Sequence, residues 1–342
     1  MISAMLLIAV VGCPAPQPPN TTQTISGPIM GTTFEVKIVH PGDAAEPPPE
    51  GLPEAVTAIL SDIDGKMSTY NPESEISRFN AWASTDPFPI SAETAAVVVE
   101  AMVLADTTSG ALDVTVGPLV RAYGFGADEV AEWPSDEEVA ALVAAIGVEQ
   151  LSLLEGEEAA LRKGQPELEV DLSAVAKGYA VDRVAEELRA RGLDRFMVEV
   201  GGEVRAEGRN AERNTWRLGI ERPDATRGRV QRVIPLKGAA LATSGDYRNY
   251  REIDGERFSH LLDPRTGRPI GHRLASVSVI AETCVRADGL ATALMVLGEG
   301  EGLALAESLD LAALFLVRDD DGGFREVESS AFTRRVALSD AS

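Results

Sequence analysis

The chain has 342 residues, of which 44% are hydrophobic and 25% are charged. These proportions are those of an ordinary soluble globular protein with enough length to bury a large core, so they exclude a disordered or membrane-spanning chain for most of the sequence. The 31 basic and 54 acidic side chains give a net charge of −23 without a basic block. Because nucleic-acid binding relies on Lys and Arg to neutralise phosphates, no nucleic-acid partner is predicted.

An apolar run opens the chain and ends at Val-Val-Gly-Cys, where the cysteine is Cys13. The run is shorter than the roughly 20 apolar residues that cross a bilayer, and its length suits a signal peptide. The small residue directly before Cys13 resembles the bacterial lipoprotein signal, in which that cysteine is lipidated. No Lys or Arg precedes the run, so a plain cleaved signal or a frayed tail stays open as an alternative.

The sequence therefore predicts three segments: a lipoprotein signal peptide at 1–12, a Pro-rich tether at 13–24 and a single folded domain at 25–335. Prolines are frequent directly after Cys13, which favours an extended tether. We expect an exported bacterial lipoprotein that is anchored to the membrane by a lipid on Cys13 and lies on the periplasmic or extracytoplasmic face.

Helical and strand-like patterns alternate along the proposed domain without a repeat of fixed period. Alternating apolar and β-branched residues indicate strands, while a capping residue such as Ser91 and a glycine such as Gly192 mark helix ends. The predicted elements are, in chain order, a strand over 25–40, helices over 53–66, 91–110 and 135–146, a strand over 168–172, a helix over 173–191, a strand over 196–200, strand-like runs between 203 and 281, a helix over 286–298, a short helix over 301–308 and a strand over 311–317. Strands interleaved with helices in this way predict an α+β fold with mixed or antiparallel sheets flanked by helices.

Lys177 lies in the first two turns of the helix predicted over 173–191. Helix N-termini present free N–H groups and the positive end of the helix dipole, which suit a phosphate group. An exposed lysine on a capped helix would explain the same pattern without a ligand. The pair Gly201-Gly202 has two interpretations as well, because it predicts either a tight hairpin turn or a close approach of the backbone to a ligand.

His260 is one of three histidines and lies in a segment of loops between strand-like runs, flanked by Ser259 and Asp263. A histidine on such a loop is a candidate general base. A structural histidine whose hydrogen bonds are satisfied is the alternative interpretation.

Asp288 and Thr292 interrupt an otherwise apolar helical pattern and lie four residues apart. Residues at this spacing share one helix face, so the carboxylate and the hydroxyl would offer two hard oxygen ligands of the kind that Mg²⁺ prefers. Two simpler roles remain open. Arg286 could pair with Asp288, and Thr292 could bond to the backbone carbonyl of Asp288.

Eight segments of the chain, taken in order, carry a family resemblance. They are PIMGTTFEV, MSTYNPESEISRFN, GALDVTVGPLVRAYGFG, DLSAVAKGYAVD, VEVGGEVRAEG, ATSGDYRNY, SHLLDPRTGRPI and ADGLATALMVLG. Together they closely resemble the ApbE family of FAD:protein FMN transferases over residues 25–335. The resemblance implies a single ApbE-like catalytic domain that uses FAD as its substrate and joins the FMN half, by a phosphoester bond, to a Thr or Ser hydroxyl of an acceptor protein, releasing AMP.

The resemblance also implies roles for individual residues of this chain. The metal Mg²⁺ would be bound by Asp288, Thr292 and the backbone carbonyl of Ala176, and His260 matches the family's proposed base. The residues expected to contact FAD are Met30, Tyr70, Ala111, Leu112, Asp113, Ser173, Lys177, Tyr179 and Leu262. Two positions depart from the family pattern: Gly289 stands where Ala is more usual, and Ala291 stands where some members have a further metal-ligating Asp.

Two other functions are compatible with the same residues. A Mg²⁺-dependent FAD pyrophosphatase would release FMN and AMP to water, and a non-enzymatic flavin-binding lipoprotein would bind FAD without cleaving it. The family resemblance favours the transferase, whose acceptor protein would be a subunit of an exported or membrane redox complex with an exposed Thr or Ser.

Overall fold

The structure is a computed structural model that describes residues 18–42, 49–125, 132–156, 158–224, 228–247, 250–253 and 256–340. The predicted signal peptide at 1–12 and the lipidation site at Cys13 lie outside the described residues.

An eight-stranded sheet forms the centre of the fold, and each pair of neighbouring strands in it is antiparallel. With strands numbered in chain order, its spatial order is β1 (Thr21–Ile29), β2 (Thr32–His40), β6 (Phe196–Val200), β7 (Glu203–Glu207), β10 (Ala239–Gly245), β15 (Leu274–Ala281), β16 (Ala312–Arg318) and β17 (Phe324–Glu328). The described residues also form a smaller three-stranded sheet of β3 (Phe88–Pro89), β4 (Leu151–Leu154) and β5 (Ala160–Lys163). Three two-stranded hairpins complete the described strands: β8 (Trp216–Glu221) with β9 (Val230–Leu236), β11 (Tyr250–Ile253) with β12 (Glu256–Ser259), and β13 (Leu262–Asp263) with β14 (Arg268–Pro269).

Helices cover both faces of the central sheet, and most of them lie on one face. They are α1 (Leu52–Met67), α2 (Glu75–Ala81), α3 (Ala92–Thr107), α4 (Gly117–Ala122), α5 (Asp136–Ala145), α6 (Ala176–Ala190), α7 (Cys284–Ser308) and α8 (Ser330–Asp340). Successive strand residues point to opposite faces, so Phe315 joins the core under α1, α3, α6 and α7, while Leu316 joins the second core under α8 and the β8–β9 hairpin. This arrangement confirms the predicted α+β class with antiparallel sheets flanked by helices.

The long helix α7 crosses the middle of the first face, where it contacts β10, β15 and α6. By length and composition it could span a membrane, but most of its apolar side chains are buried inside the fold. The sequence predicted two helices here, over 286–298 and 301–308. The structure joins them across a kink at Gly298, whose φ of 75° only a glycine adopts readily.

The single strand predicted over 25–40 is wrong, because the segment forms the hairpin of β1 and β2. Met30 and Gly31 make its turn with φ values of 48° and 69°, which extended backbone cannot have. The first strand begins at Thr21, which pairs with His40. Four residues that the sequence placed in the tether therefore belong to the sheet, and at the other end α8 extends past residue 335.

The strand predicted over 168–172 is also wrong. The backbone of Val170 is bound by a side chain instead of a neighbouring strand, since Asn80 donates to its carbonyl and accepts from its N–H, both at 2.8 Å. The following helix begins at Ala176, three residues later than predicted. Before it, the carboxylate of Asp171 accepts a hydrogen bond from the N–H of Ser173 at 2.9 Å and holds that residue in a turn.

Candidate active site

Three charged side chains meet where the first turn of α6, the start of β7 and the second turn of α7 converge. Lys177 Nζ lies 2.5 Å from Glu203 Oε1 and 3.7 Å from Asp288 Oδ1. The second oxygen of Asp288, Oδ2, accepts a hydrogen bond from the backbone N–H of Gly178 at 3.0 Å. We call Lys177, Glu203 and Asp288 the charged cluster. Lys177 and Asp288 were predicted as site residues from the sequence, and Glu203 was not.

Burial decides how the charged cluster shares its protons. Glu203 and Asp288 are each only 3% exposed, and burial raises the pKa of Asp288 to about 7, although Lys177 and the Gly178 hydrogen bond act in the opposite direction. Burial alone would lower the pKa of Lys177, but the charges of Asp288 and Glu203 outweigh it and raise that pKa. The ammonium lies closer to Glu203 than to Asp288, so Asp288 is the less stabilised carboxylate of the two.

With both carboxylates ionised, the charged cluster carries more negative than positive charge. Two buried carboxylates share one ammonium, and Glu203 Oε2 is a buried oxygen without a hydrogen-bond partner in the structure. Lys177 keeps 29% of its side-chain surface exposed, so the charged cluster is open to solvent on that side. A buried, uncompensated negative charge is costly, and a cation bound beside Asp288 would offset it.

The structure decides between the alternatives that the sequence left open for the polar residues of α7. Arg286 pairs with Glu100 of α3 at 3.4 Å and so is directed away from Asp288. The hydroxyl of Thr292 lies 3.0 Å from that of Ser244, the penultimate residue of β10, so its described partner is a side chain and not the carbonyl of Asp288. Asp288 and Thr292 therefore both face the end of the sheet where the charged cluster lies.

The donor set around Asp288 fits Mg²⁺. The Asp288 carboxylate, the Thr292 hydroxyl and the Ala176 carbonyl are hard oxygen donors, and Ala176 lies two residues before the Gly178 N–H that binds Asp288. Within the described ranges, no group of three or more His, Cys, Asp or Glu side chains could hold a metal. Mg²⁺ is commonly held by one or two carboxylates together with substrate phosphates, so a small protein donor set suits it. Ala291 is fully buried in the core and adds no ligand.

The Gly201-Gly202 pair forms the hairpin turn between β6 and β7, with φ values of 64° and 107°. It also lies close to other groups: a Cβ on Gly201 would be 2.9 Å from Thr32 Cγ2, 3.3 Å from Lys177 Cδ and 3.4 Å from Glu203 Oε2. The turn therefore borders the charged cluster. It brings the β1–β2 hairpin, with Met30 at its turn, to the same end of the sheet.

His260 lies between β12 and β13 and packs edge-on against Phe125, with ring centroids 6.5 Å apart. The strand β13 that follows it contacts α7, so the histidine loop is attached to the helix of the proposed metal ligands. Its flanking residues have other bonds. Ser259 Oγ accepts from the N–H of Leu261 at 3.1 Å, and Asp263 pairs with Arg265 at 2.8 Å.

The residues predicted to contact FAD fall into exposed and buried groups. Tyr70 is 66% exposed. Partial burial of its phenol, and to a smaller extent the negative charge of Asp171, raise the pKa of Tyr70. Ser173 is bound to Asp171 as well, which places Tyr70 and Ser173 around one carboxylate. Tyr179 is half-buried on α6, one residue beyond the Gly178 N–H that binds Asp288.

The buried group could contact a ligand mainly through its backbone. Ala111 and Leu112 are 1% and 3% exposed, and Leu112 packs against α7, where a Cβ on Gly289 would be 3.2 Å from its Cδ2. Asp113 accepts hydrogen bonds from the N–H and hydroxyl of Thr115 at 2.7 and 2.6 Å, and burial raises its pKa. Leu262 lies in a small apolar cluster with α4 and α5.

Comparison with known proteins identifies the family. The ApbE family model matches residues 30–315. The FAD:protein FMN transferase of Vibrio cholerae serotype O1 is 46% identical over 332 residues, which are 97% of this chain and 96% of that protein. The chain belongs to the ApbE family.

Further relatives agree with this assignment. The FAD:protein FMN transferase of Haemophilus influenzae is 44% identical, and the match covers 98% of this chain and 97% of that protein. The solved structure of the flavin transferase ApbE from Vibrio cholerae matches with a TM-score of 0.82 at 45% identity, covering 92% of this chain and 99% of that one. The predicted ApbE membership and the predicted enzyme class, a flavin transferase, are confirmed.

Three residues that this ApbE fold brings to the site were not predicted from the sequence. Glu203 binds Lys177, Ser244 binds Thr292, and Asp182 binds the N–H of Val285 at the start of α7. The available signal was a carboxylate at an apolar position: Asp182 lies four residues after Gly178 in the DLSAVAKGYAVD segment, on the face of α6 that is buried. Glu203 and Ser244 carried no comparable local signal, because their partners are distant in the sequence.

Proposed function

We propose that this chain transfers the FMN moiety of FAD to a Thr or Ser hydroxyl of an acceptor protein, forms a phosphoester bond there, and releases AMP in a Mg²⁺-dependent reaction. The observation that carries the proposal is the charged cluster, in which a lysine and an under-compensated pair of buried carboxylates meet at the N-terminus of α6. The chain's membership of a family whose relatives are named FAD:protein FMN transferases supports the same reaction.

The metal would be held by Asp288, Thr292 and the carbonyl of Ala176. When bound, Mg²⁺ supplies Lewis-acid polarisation of phosphoryl oxygens and offsets the negative charge of the pyrophosphate. In a chain with a net charge of −23, such compensation is needed for an anionic substrate to approach two buried carboxylates.

The protein's own groups bind and orient FAD. The Lys177 ammonium, on the first turn of α6 and partly exposed, is positioned to pair with a phosphate oxygen, which the dipole of that helix also favours. The exposed ring of Tyr70 and the thioether of Met30 offer flat and polarisable surfaces for an aromatic ring of the substrate. These contacts would fix the pyrophosphate beside the charged cluster.

His260 is assigned the proton transfer. The acceptor hydroxyl oxygen attacks the phosphorus of the FMN half, and the imidazole takes the hydroxyl proton. The bond between that phosphorus and the bridging oxygen breaks, so the FMN phosphate becomes a phosphodiester to the protein and AMP leaves with the bridging oxygen. The imidazole can then return its proton to solvent.

The test follows the mass of the acceptor and the appearance of AMP. The purified protein, FAD, Mg²⁺ and an acceptor domain with an exposed Thr should yield acceptor with the added mass of FMN and an equal amount of AMP. His260→Ala should lower the transfer rate by about 10²- to 10⁴-fold, which is the usual contribution of a general base. His40→Gln is the matched control, because His40 is at the end of β2 away from Met30 and bonds to Gln23.

The alternatives have distinct products. Free FMN and AMP with an unmodified acceptor would establish the pyrophosphatase, and FAD binding without AMP release would establish a flavin-binding lipoprotein. A His260→Ala variant with the wild-type transfer rate would remove the histidine from the mechanism.

Export and anchoring through Cys13 are part of the same proposal and rest on the sequence before the tether. They would place the enzyme beside an acceptor subunit of an exported or membrane redox complex. Expression in a bacterium with radioactive palmitate should label the wild-type protein and not Cys13→Ser. Unlabelled wild-type protein that is found in the soluble fraction would contradict the anchor without affecting the proposed reaction.

A further inference from the structure

The two helices that carry the proposed metal ligands lack side-chain caps of their own. Neither Val175, before α6, nor Thr283, before α7, makes a side-chain hydrogen bond to the first turn of its helix. The hydroxyl of Thr283 is buried without a hydrogen-bond partner in the structure. The free N–H groups of both first turns therefore need acceptors from elsewhere in the fold.

Each helix supplies a carboxylate to the other. The N–H of Gly178, in the first turn of α6, donates to Asp288 Oδ2 of α7 at 3.0 Å. The N–H of Val285, in the first turn of α7, donates to Asp182 Oδ2 of α6 at 3.0 Å. The two caps are reciprocal, and one of them is made by a proposed metal ligand.

The two bonds flank a very close contact between the helices. Gly178 and Asp182 are four residues apart and lie on one face of α6. A Cβ on Gly178 would be only 2.4 Å from the carbonyl oxygen of Cys284, so only glycine permits this approach. Because the helices touch through backbone atoms, a small shift of α7 relative to α6 would change the distances of Asp288 and Thr292 from Ala176.

Arg205 of β7 holds the carboxylate of Asp182 from its other side. Arg205 Nη1 lies 2.5 Å from Asp182 Oδ1, and these residues are 8% and 6% exposed. Arg205 and Glu203 are two residues apart on β7, so both point to the face of the sheet that α6 and α7 cover. The same strand thus supplies the partner of Lys177 and the partner of Asp182.

We propose that Asp182 and Arg205 are positioning residues of the flavin-transfer centre. The Asp182 carboxylate, neutralised by Arg205, caps α7 and fixes the Asp288 and Thr292 oxygens relative to Ala176 on α6. The inference deepens the proposed function and rests on it, since it assigns to this pair the alignment of the metal ligands. Neither residue touches the substrate in this assignment.

The test uses the full chain with Asp182→Asn. The single carbonyl oxygen of Asn can accept from Val285, but its NH₂ group would then face the guanidinium of Arg205, so one of the two bonds is lost. We expect amide hydrogen exchange at Val285 in the flavin-free protein to be faster by about tenfold or more, and the Mg²⁺ concentration for half-maximal transfer to rise by about 10- to 100-fold, as for other residues that orient metal ligands.

Two further variants separate positioning from simple stability. Arg205→Lys keeps the positive charge beside Asp182, so it should change both measurements in the same direction as Asp182→Asn but by less. It also keeps the proposal testable if Asp182→Asn fails to fold. Arg183 directly follows Asp182 in α6 and forms an exposed ion pair with Glu186. Arg183→Ala removes that pair and should match the wild type in both measurements. A purely structural role would lower the melting temperature and leave the Mg²⁺ requirement of the folded enzyme unchanged.

The inference and the proposed function fail in different ways. Wild-type exchange at Val285 and a wild-type Mg²⁺ requirement in folded Asp182→Asn would overturn the positioning role. A wild-type enzyme whose transfer needs no divalent cation would contradict the metal part of the proposed function instead, and the exchange at Val285 would still report on the cap.

Discussion

Asp288 is a carboxylate with one oxygen on a backbone N–H and the other near an ammonium that is bound more closely by Glu203. Burial therefore outweighs its favourable contacts and raises its pKa to about 7. An acid of this kind is poised to lose its proton when a cation arrives, since metal binding requires the ionised form. The proposed Mg²⁺ site would therefore bind its metal more weakly as the pH falls below this pKa.

This raised pKa predicts how stability changes with pH. The folded protein keeps a proton on Asp288 up to about pH 7, whereas the unfolded chain loses it near 3.8. The stability contributed by this proton is complete below the unfolded value and is lost as pH rises through the folded one. Without divalent cations, the free energy of unfolding of Asp288→Asn relative to the wild type should therefore increase by roughly 1–3 kcal/mol from about pH 5 to about pH 8.

Urea unfolding of both proteins at each pH measures this difference. Asp310→Asn is the control, because that carboxylate lies on the surface with its side chain 77% exposed, and it should follow the wild type at every pH. If the difference between Asp288→Asn and the wild type did not change with pH, the carboxylate would not hold its proton as proposed.

At the scale of elements, the contact between α6 and α7 depends on the absence of one side chain. Gly178 faces the backbone of Cys284 and Val285, and the nearest atom would be 2.4 Å from an added Cβ. The neighbouring elements cannot yield as a flexible side chain would, because both surfaces are helical backbone. Close packing here is what allows Gly178 to reach the carboxylate of Asp288.

Gly178→Ala should therefore destabilise the protein by about 1–3 kcal/mol or more, as overpacking does in a core. It should also weaken Mg²⁺ binding, because it separates the two helices that carry the proposed ligands. Gly65→Ala is the matched control: Gly65 is exposed on α1 with no atom within 4 Å of an added Cβ, so the exchange should stabilise that helix by up to about 1 kcal/mol. Thermal unfolding and calorimetric Mg²⁺ titration give the two readouts, and a stabilised Gly178→Ala would contradict the close contact.

Several elements could be predicted because their signals are local. Ser91 caps α3 by accepting from the N–H of Thr94, and Ser135 and Glu138 form a capping box on α5. The residues 168–172 could not be placed in this way, since the backbone of Val170, at the centre of this segment, bonds to the side chain of Asn80, 90 residues earlier. A strand-like pattern does not reveal whether a neighbouring strand or a side chain will satisfy the backbone.

At the scale of the whole molecule, the central sheet separates the face that carries the candidate site from the opposite face. The charged cluster lies on the face covered by α6 and α7, while α8 and the β8–β9 hairpin pack a second core on the opposite face. No site residue predicted from the sequence lies in that second core. Its role is to hold the sheet on which the site is built.

Leu316→Ala should separate these two roles. Leu316 is 1% exposed in the second core, so its truncation should cost about 2–5 kcal/mol of stability. The folded variant should keep the wild-type Mg²⁺ requirement and FAD KM. Leu309→Ala removes the same atoms from a residue that is 40% exposed and should change stability by less than about 1 kcal/mol. A changed Mg²⁺ requirement in Leu316→Ala, measured below its melting temperature, would show that the two faces are coupled.

Features that depend on a few neighbouring residues could be predicted from the amino-acid sequence alone. Helical periodicity placed Asp288 and Thr292 on one face, Gly201-Gly202 predicted a hairpin turn, and the ordered motifs identified the family. The groups that those residues contact depend on the fold: Glu203 binds Lys177, and Asp288 binds the N–H of Gly178, 110 residues away. The physical reason is that a buried charge is stabilised by whatever packing brings next to it, and that neighbour is chosen by the fold of the whole chain.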